Sequence, residues 1–542
     1  MRHFRDRAAA AATWGVLVLA FLPVHADPAA PTAVDTAADP AAEARAFAAI
    51  RAAGRLEAEP GAPHPLPLAS SWQNAGGPLS FDPNYVIRRI RAGGYLLPWF
   101  VLPGPGSEAD QYEHGAQRLY YEPAIQTLAH EGVPLSFVSP QWELLLPAIS
   151  AAYPTAADGG TLPLSPYGPV EPWAEVGRAW ARGATLRHLE ALYPDPPLVL
   201  FLSDNEQSKL SAADLGIRTD TAPEDIRRRR EIGDRWIERY RAMVRGFREG
   251  LEAPGWRAHA VFVGYDAIAG AATGRWGGWR GYSLQVPGRL EPWPYAWDGA
   301  SVSYYLHDWA PDADDIVWSP EIEAMNFLPQ LAEIRRAKPA FWFEISTWDG
   351  QEPGQPTDKW WFFQKRGEEW TAERYGGMVQ FGMWLMRPRV VREFRNPEHD
   401  RIRFGPYFEA VIAAVGRVHD EPLLRDFWEH GVLVPNPSAG HPYEVALTAD
   451  VAAASRWFLL DSADNPPRPW KLDTQLAVYA LALARGDLPH REWLVYTFSP
   501  LSARRQVSVT IPDGPTVLLP SGRAGCFTRV NAAGAALQTV GC

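Results

Sequence analysis

The sequence predicts an α/β chain, a (β/α)8 barrel followed by an antiparallel β-sandwich, and three observations predict it. Between about residues 61 and 425, short apolar runs alternate with amphipathic stretches, as expected of βα units around a parallel sheet. The apolar runs number eight, the count that closes a barrel. Beyond about residue 430 the pattern changes to closely spaced extended runs separated by Gly, Pro, Asn and Asp, which reads as a sandwich.

The eight candidate strands are residues 65–72, 95–102, 134–139, 197–203, 257–265, 300–306, 339–343 and 377–384. Helices are expected at 84–92, 122–131, 173–192, 320–337, 365–375 and 405–418. The clearest one follows the fourth strand. Thr221 and Glu224 form a capping box, Pro223 suits a first turn, and Ile232, Trp236, Tyr240, Met243, Val244 and Phe247 recur at helical spacing. Arg227 to Arg230 read as its solvated face. The fifth connection, 267–298, lacks a helical pattern and is rich in Trp and Tyr. In the C-terminal region the extended runs are 443–448, 456–461, 492–498, 506–511 and 516–519.

Residues 1–26 carry Arg2, Arg5 and Arg7, then an apolar run, then Val24-His25-Ala26 before Asp27, the pattern of a secretory leader. Its apolar core of about ten residues is well short of the roughly 20 that cross a bilayer. The expected organisation is therefore leader 1–26, an Ala/Pro-rich lead-in 27–60, barrel 61–425 and sandwich 426–542. A secreted or periplasmic location follows, with no membrane contact after cleavage.

Formal net charge is -11, and the leader takes three Arg and one Asp with it, so the mature chain is still more acidic. This disfavours nucleic acid as a partner. The two cysteines, Cys526 and Cys542, are placed to close a terminal loop in an oxidising compartment. The 24 Trp are unusual; most are expected in the core, but a flat apolar ring also matches the C–H face of a sugar. There is no His-x-His on an early strand, no His-Glu-x-x-His, no Gly-x-Ser-x-Gly, no phosphate-cradling glycine loop and no Cys cluster, so neither metal nor cofactor is expected.

In such barrels functional groups collect where strands end. The fourth strand leads into Asp204-Asn205-Glu206 and the seventh into Glu344, so two carboxylates reach matching heights on well-separated strands. Glycosidic cleavage with retention needs a proton donor for the leaving oxygen and a carboxylate nucleophile roughly 5 to 5.5 Å away. The acid must keep its proton while the nucleophile stays ionised.

On these residues the chain resembles clan A of the glycoside hydrolases, the 4/7 superfamily, which has an Asn-Glu pair closing strand four, here Asn205-Glu206, and a Glu closing strand seven, here Glu344. The resemblance covers the barrel and rests on a short motif plus strand position. It implies that Glu206 is acid/base, that Glu344 is nucleophile and that Asn205 bonds the sugar 2-hydroxyl. It further implies that a tyrosine near the end of strand six, Tyr305 or else Tyr304, hydrogen-bonds the nucleophile. Trp384, at the end of the expected strand eight, would form the floor of the -1 subsite.

His307 and Asp308 follow strand six and are candidates for sugar hydroxyls. Trp142, Trp309 and Trp348 are candidates for sugar stacking or for core, and Gln73, Asn74, Gln141, Glu143 and Asp266 are secondary candidates. The expected partner is a carbohydrate polymer or oligosaccharide; sugar, linkage and oligomeric state are not set by the sequence. Two rivals stand: a noncatalytic carbohydrate-binding barrel, and an inverting enzyme pairing Glu206 with Asp266 or Asp308 at roughly 6.5 to 9.5 Å.

Overall fold

The computed structural model describes residues 68–69, 96–97, 100–101, 116–139, 153–154, 161–162, 168–203, 223–264, 298–305, 341–346, 371–386, 390–393, 405–434, 436, 458–467, 475–487, 489–502 and 504–542. The expected helices at 84–92 and 320–337 and the expected strand at 443–448 lie outside them.

The chain is mixed α/β with a C-terminal antiparallel sheet region. The strands β1 (Leu68–Ala69), β2 (Leu96–Leu97), β3 (Phe100–Val101) and β4 (Leu135–Ser139) come first, and β5 (Tyr153–Pro154) and β6 (Thr161–Leu162) form a separate antiparallel ribbon. Next come β7 (Val199–Ser203), β8 (Ala260–Gly264), β9 (Gly299–Tyr305), β10 (Phe341–Ser346) and β11 (Val390–Glu393). Apart from the ribbon, these strands form one sheet in the order β2-β1-β11-β10-β9-β8-β7-β4-β3, and its pairings are all parallel. Among the described residues this sheet has two ends, β2 and β3, and is not a closed ring. Only Pro98 and Trp99 separate those ends along the chain.

Parallel neighbours need crossovers, and the described helices lie on several of them. These are α1 (Ala116–Glu131), α2 (Glu171–Ala181), α3 (Ala184–Leu192), α4 (Pro223–Gly250), α5 (Pro254–His259) and α6 (Ala372–Met386), followed by α7 (Gly405–Asp420) and α8 (Pro422–His430). The single helix expected at 173–192 is two helices because Gly183 adopts an extended backbone between them. The long helix starts at Pro223 as expected, with Met243, Val244 and Phe247 buried. Its neighbour α2 crosses it at small residues: a Cβ on Gly246 would collide with the carbonyl of Ala174, and one on Gly177 with that of Met243. Arg239, on the flank of the Arg-rich face, is buried and donates to the carbonyl oxygen of Gly168, and burial pulls its pKa down.

Phe137, Phe201 and Phe262 are successive register partners on β4, β7 and β8, with ring centroids 5.7 and 5.1 Å apart. Phe247 of α4 packs on Phe201 and Phe262, and Trp256 of α5 on Phe137 and Phe201, so helices cover this face. Glu190 of α3 is buried and accepts the N–H groups of Glu252 and Ala253 at 3.2 and 3.0 Å, satisfying donors at the start of α5. Burial pushes its carboxyl above the ordinary range, although those hydrogen bonds oppose the shift.

The eighth strand is not where the sequence suggests. Residues 377–384 belong to α6, and the strand is β11, after that helix. Arg374 through Leu385 are all buried, and a helix buried on every side has the same continuous apolar run as a central strand. Of the expected helix at 365–375, residues 372–375 open α6 and residues 365–370 lie outside the described ones.

After α8, which spans the expected domain boundary at 425/426, two antiparallel sheets share one core. The larger runs β12-β14-β15-β18-β19, with β12 (Val432–Leu433), β14 (Tyr479–Arg485), β15 (Glu492–Phe498), β18 (Cys526–Asn531) and β19 (Ala536–Val540). The smaller runs β13-β16-β17, with β13 (Asp461–Ser462), β16 (Arg504–Thr510) and β17 (Thr516–Ser521). Val478, Ala480, Ala482, Trp493 and Val495 of the first face Val507, Val509, Val517 and Leu519 of the second. The other face of the larger sheet packs on the helices: Phe381 of α6 meets Tyr479, and Trp384 meets Phe527. Cys526 and Cys542 are joined as a disulfide.

Candidate active site

All strands of the large sheet run one way, so their C-terminal ends share one edge. There β4 ends at Ser139, β7 at Ser203, β8 at Gly264, β9 at Tyr305, β10 at Ser346 and β11 at Glu393. Crossing from β7 to β10 passes β8 and β9, three spacings of about 4.8 Å or about 14 Å along the sheet.

Positions alternate between faces along a strand, and register partners in a parallel pair share a face. The helix-covered row containing Phe201 and Phe262 continues through Gly264 to Ala300, Phe341 and, two residues on, Phe343 and Val391. Ser303, Tyr305, Glu344, Ser346 and Arg392 therefore occupy the opposite face. Glu344 has Ser303 as its register partner on one side and Arg392 on the other. Tyr305 is the partner of Ser346, whereas Tyr304 falls on the helix-covered row.

Glu344 lies within its strand, not past its end as 339–343 would have it: Ile345 and Ser346 continue β10 beyond it. Glu206 and Asn205 follow Ser203 by three and two residues and lie outside the described residues. So do His307, Asp308 and Trp309, two to four residues past the end of β9 in sequence, and Trp142, Trp348, Asp266, Gln73, Asn74, Gln141 and Glu143.

Trp384 is a correction. It stands on α6 with 0% exposure, its indole N–H donates to Gln380 Oε1 at 2.9 Å, and its ring packs against Trp428 at 4.9 Å and Phe527 at 5.0 Å. It joins α6 to α8 and the C-terminal sheet and does not close a strand. Misplacing the eighth strand also hid Arg392. Val390 and Val391, β-branched and close after Pro388, were the available signal for that strand.

Among the described residues no group of three His, Cys, Asp or Glu is arranged to hold a metal ion, and no helix is long and apolar enough to cross a membrane.

No protein-family model matches the sequence, and no curated protein matches it. Among solved structures there is distant similarity to glycoside hydrolases, at low TM-scores and without a family assignment. A family 36 alpha-galactosidase from Geobacillus stearothermophilus in complex with raffinose matches at TM-score 0.37 and 10% identity, over 88% of this chain and 54% of its own. An endo-beta-mannanase/endo-beta-glucanase from Prevotella bryantii matches at 0.31 and 9%, over 65% and 48%. A family 51 arabinofuranosidase from Xanthomonas axonopodis pv. citri matches at 0.24 and 11%, over 78% and 86%. The chain thus spans about half the length of the first two.

Proposed function

We propose that the chain is an exported retaining glycoside hydrolase on a closed (β/α)8 barrel, with Glu344 as nucleophile and Glu206 as acid/base. The observation that carries this reading is the register. Glu344 lies two residues before the C-terminal end of its strand in a parallel sheet, on the face turned away from the helices, three strands from the one whose sequence continues into Asp204-Asn205-Glu206.

A flat sheet would hold those two strands too far apart for their acids to share a sugar; a ring brings them together. Register supports a ring. From Leu68 the partners lead to Leu96, advance four residues to Phe100, pass through Phe137 and Phe201 to Phe262, and advance two to Gly264. They continue through Ala300 to Phe341, advance one to Trp342, cross to Val390, advance one more to Val391 and return to Leu68. Counted with β2 and β3 together as one step, the circuit has eight members and a stagger of eight residues, the geometry of this barrel class.

Glu206 protonates the leaving glycosidic oxygen while the Glu344 carboxylate attacks the anomeric carbon, giving a glycosyl ester. Glu206, now ionised, takes a proton from water, which attacks the same carbon and frees Glu344. Tyr305, on the same face as Glu344, is assigned to hydrogen-bond the nucleophile, and Asn205 to hold the sugar 2-hydroxyl. The leader-like segment 1–26 and the Cys526–Cys542 disulfide support export.

The test is turnover of a glycan and aryl-glycoside panel, with proton NMR of the first-formed anomer. Retention, loss of glycosyl-enzyme formation in Glu344→Gln, and a defect in Glu206→Gln that is worst for poor leaving groups are expected. Near-normal activity of Glu344→Gln would sink the assignment, inversion would favour the Asp266 or Asp308 partner, and no turnover would favour a binding protein.

A further inference from the structure

We infer that the C-terminal region is a working part of the catalytic edge and acts through Arg374, a positioning residue that sets the height of α6, and with it β11, beside the strand of Glu344; this rests on the reading of Glu344 as nucleophile. α6 packs against β10 and leads into β11 after only three residues, 387–389. β11 begins at the N-terminal edge of the sheet, so α6 ends at that edge and its start points back toward the other. Its 15 residues span about 22 Å and the 6 of β10 about 20 Å, which puts the first turn of α6 level with the end of β10.

That first turn is held by the C-terminal region. Arg374 is 1% exposed; its backbone N–H donates to Thr371 Oγ1 at 3.2 Å, and its guanidinium donates to Gln475 Oε1 at 2.6 Å. Gln475 Nε2 donates in turn to the hydroxyl of Tyr479, at the start of β14, at 3.2 Å. The rest of α6 offers Met378, Val379, Phe381, Met383 and Leu385, all buried. Apolar burial is non-directional and holds the helix between two sheets without choosing its height. A buried guanidinium does choose, because a slide of one residue, about 1.5 Å, takes it off Gln475 in a place sealed from water. An apolar side chain of similar length would be buried there at less cost, so Arg374 serves register more than stability. The register at stake is that of β11 against β10, in which Val391 pairs with Phe343, the residue before Glu344.

Three variants of the full chain test this: Arg374→Met, Gln475→Leu and Arg374→Lys. The first readout is hydrogen exchange. Amides of β10 and β11 should exchange about tenfold faster in Arg374→Met and in Gln475→Leu, those of the β15–β18 pairing should keep their protection, and Arg374→Lys should restore the wild-type rates. The second is turnover of 2,4-dinitrophenyl glycosides of glucose, galactose, mannose, xylose and arabinofuranose, with Tm recorded alongside. With Tm kept, Arg374→Met should lower kcat by about 10-fold to 100-fold at near-constant KM, and Arg374→Lys should recover it. Gln475→Leu should add nothing further in the Arg374→Met background. Should Arg374→Met not fold, Gln475→Leu alone carries both readouts. Unchanged exchange in β10 and β11, or effects of the two variants that multiply, would overturn the pairing as a register device whatever the activity. Faster exchange with unchanged kcat would overturn the positioning role and leave the hydrolase reading standing. A wild-type chain that turns over none of the glycosides would remove the hydrolase reading and the positioning role with it.

Discussion

The Tyr496 hydroxyl donates to the carbonyl oxygen of Gly377 at 2.7 Å, tying β15 of the C-terminal sheet to α6 of the parallel-sheet region. Gly377 has no room for a side chain, since a Cβ there would meet the ring of Phe498 and the carbonyl of Arg523. Strand and helix touch backbone to ring, and the two regions should unfold together.

Gly377→Ala should therefore destabilise the whole chain by about 1 to 3 kcal/mol through overpacking. Tyr496→Phe should cost about 1 kcal/mol through the lost hydrogen bond. Thermal unfolding should show one transition moving down in both variants. A second transition appearing alone would mean that the C-terminal sheet is an independent module.

Trp384→Ala should lower stability by about 3 to 5 kcal/mol, because a fully buried indole packed on Trp428 and Phe527 leaves a cavity. Trp384→Phe should lose less. Near-wild-type KM in folded Trp384→Phe would agree with a packing role, and a large rise in KM with unchanged Tm would restore the sugar-floor role.

Glu190 supplies a pH dependence. Burial raises its folded pKa above the ordinary 4.5, so the folded chain holds that proton more tightly than the unfolded chain. The stability this contributes is complete below the unfolded value and is lost as pH rises through the higher folded value. The Tm difference between the wild type and Glu190→Gln should therefore shift against the wild type as pH rises above the ordinary carboxyl value. Tm curves that stay parallel in wild type and variant across that rise would remove Glu190 as a source of pH dependence.

The Cys526–Cys542 bridge closes a loop of 16-residue separation across β18 and β19. The double Cys→Ser variant, or reduction of the native chain, should lower stability by about 3 kcal/mol. Equal Tm values with and without reductant would contradict this.

The alternation of apolar runs with helical stretches was legible because it is local: an apolar run of five or so residues that ends before an amphipathic stretch needs nothing beyond its own chain to declare a βα unit. Strands β4, β7, β8, β9, β10, β15, β16 and β17 fall in or overlap their expected runs. The cysteine pair was legible by count.

What failed had no local signal. Gly377 to Trp384 is apolar on every side because α6 lies between a parallel sheet and an antiparallel one, so period could not separate helix from strand. Tyr479–Arg485 was missed for the converse reason: Ala and Leu are helix formers, and this segment is a strand because both its faces are buried, one by the second sheet and one by helices.

Taken alone, the sequence determined that the chain is mixed α/β with an extended C-terminal region, since that is a property of contiguous residues. Only the tertiary structure decided that Arg392 and Ser303 flank Glu344, and that Trp384 belongs to the core. Neighbours in a parallel sheet come from segments dozens of residues apart, and a shift of one residue in register would exchange the helix-covered face for the other.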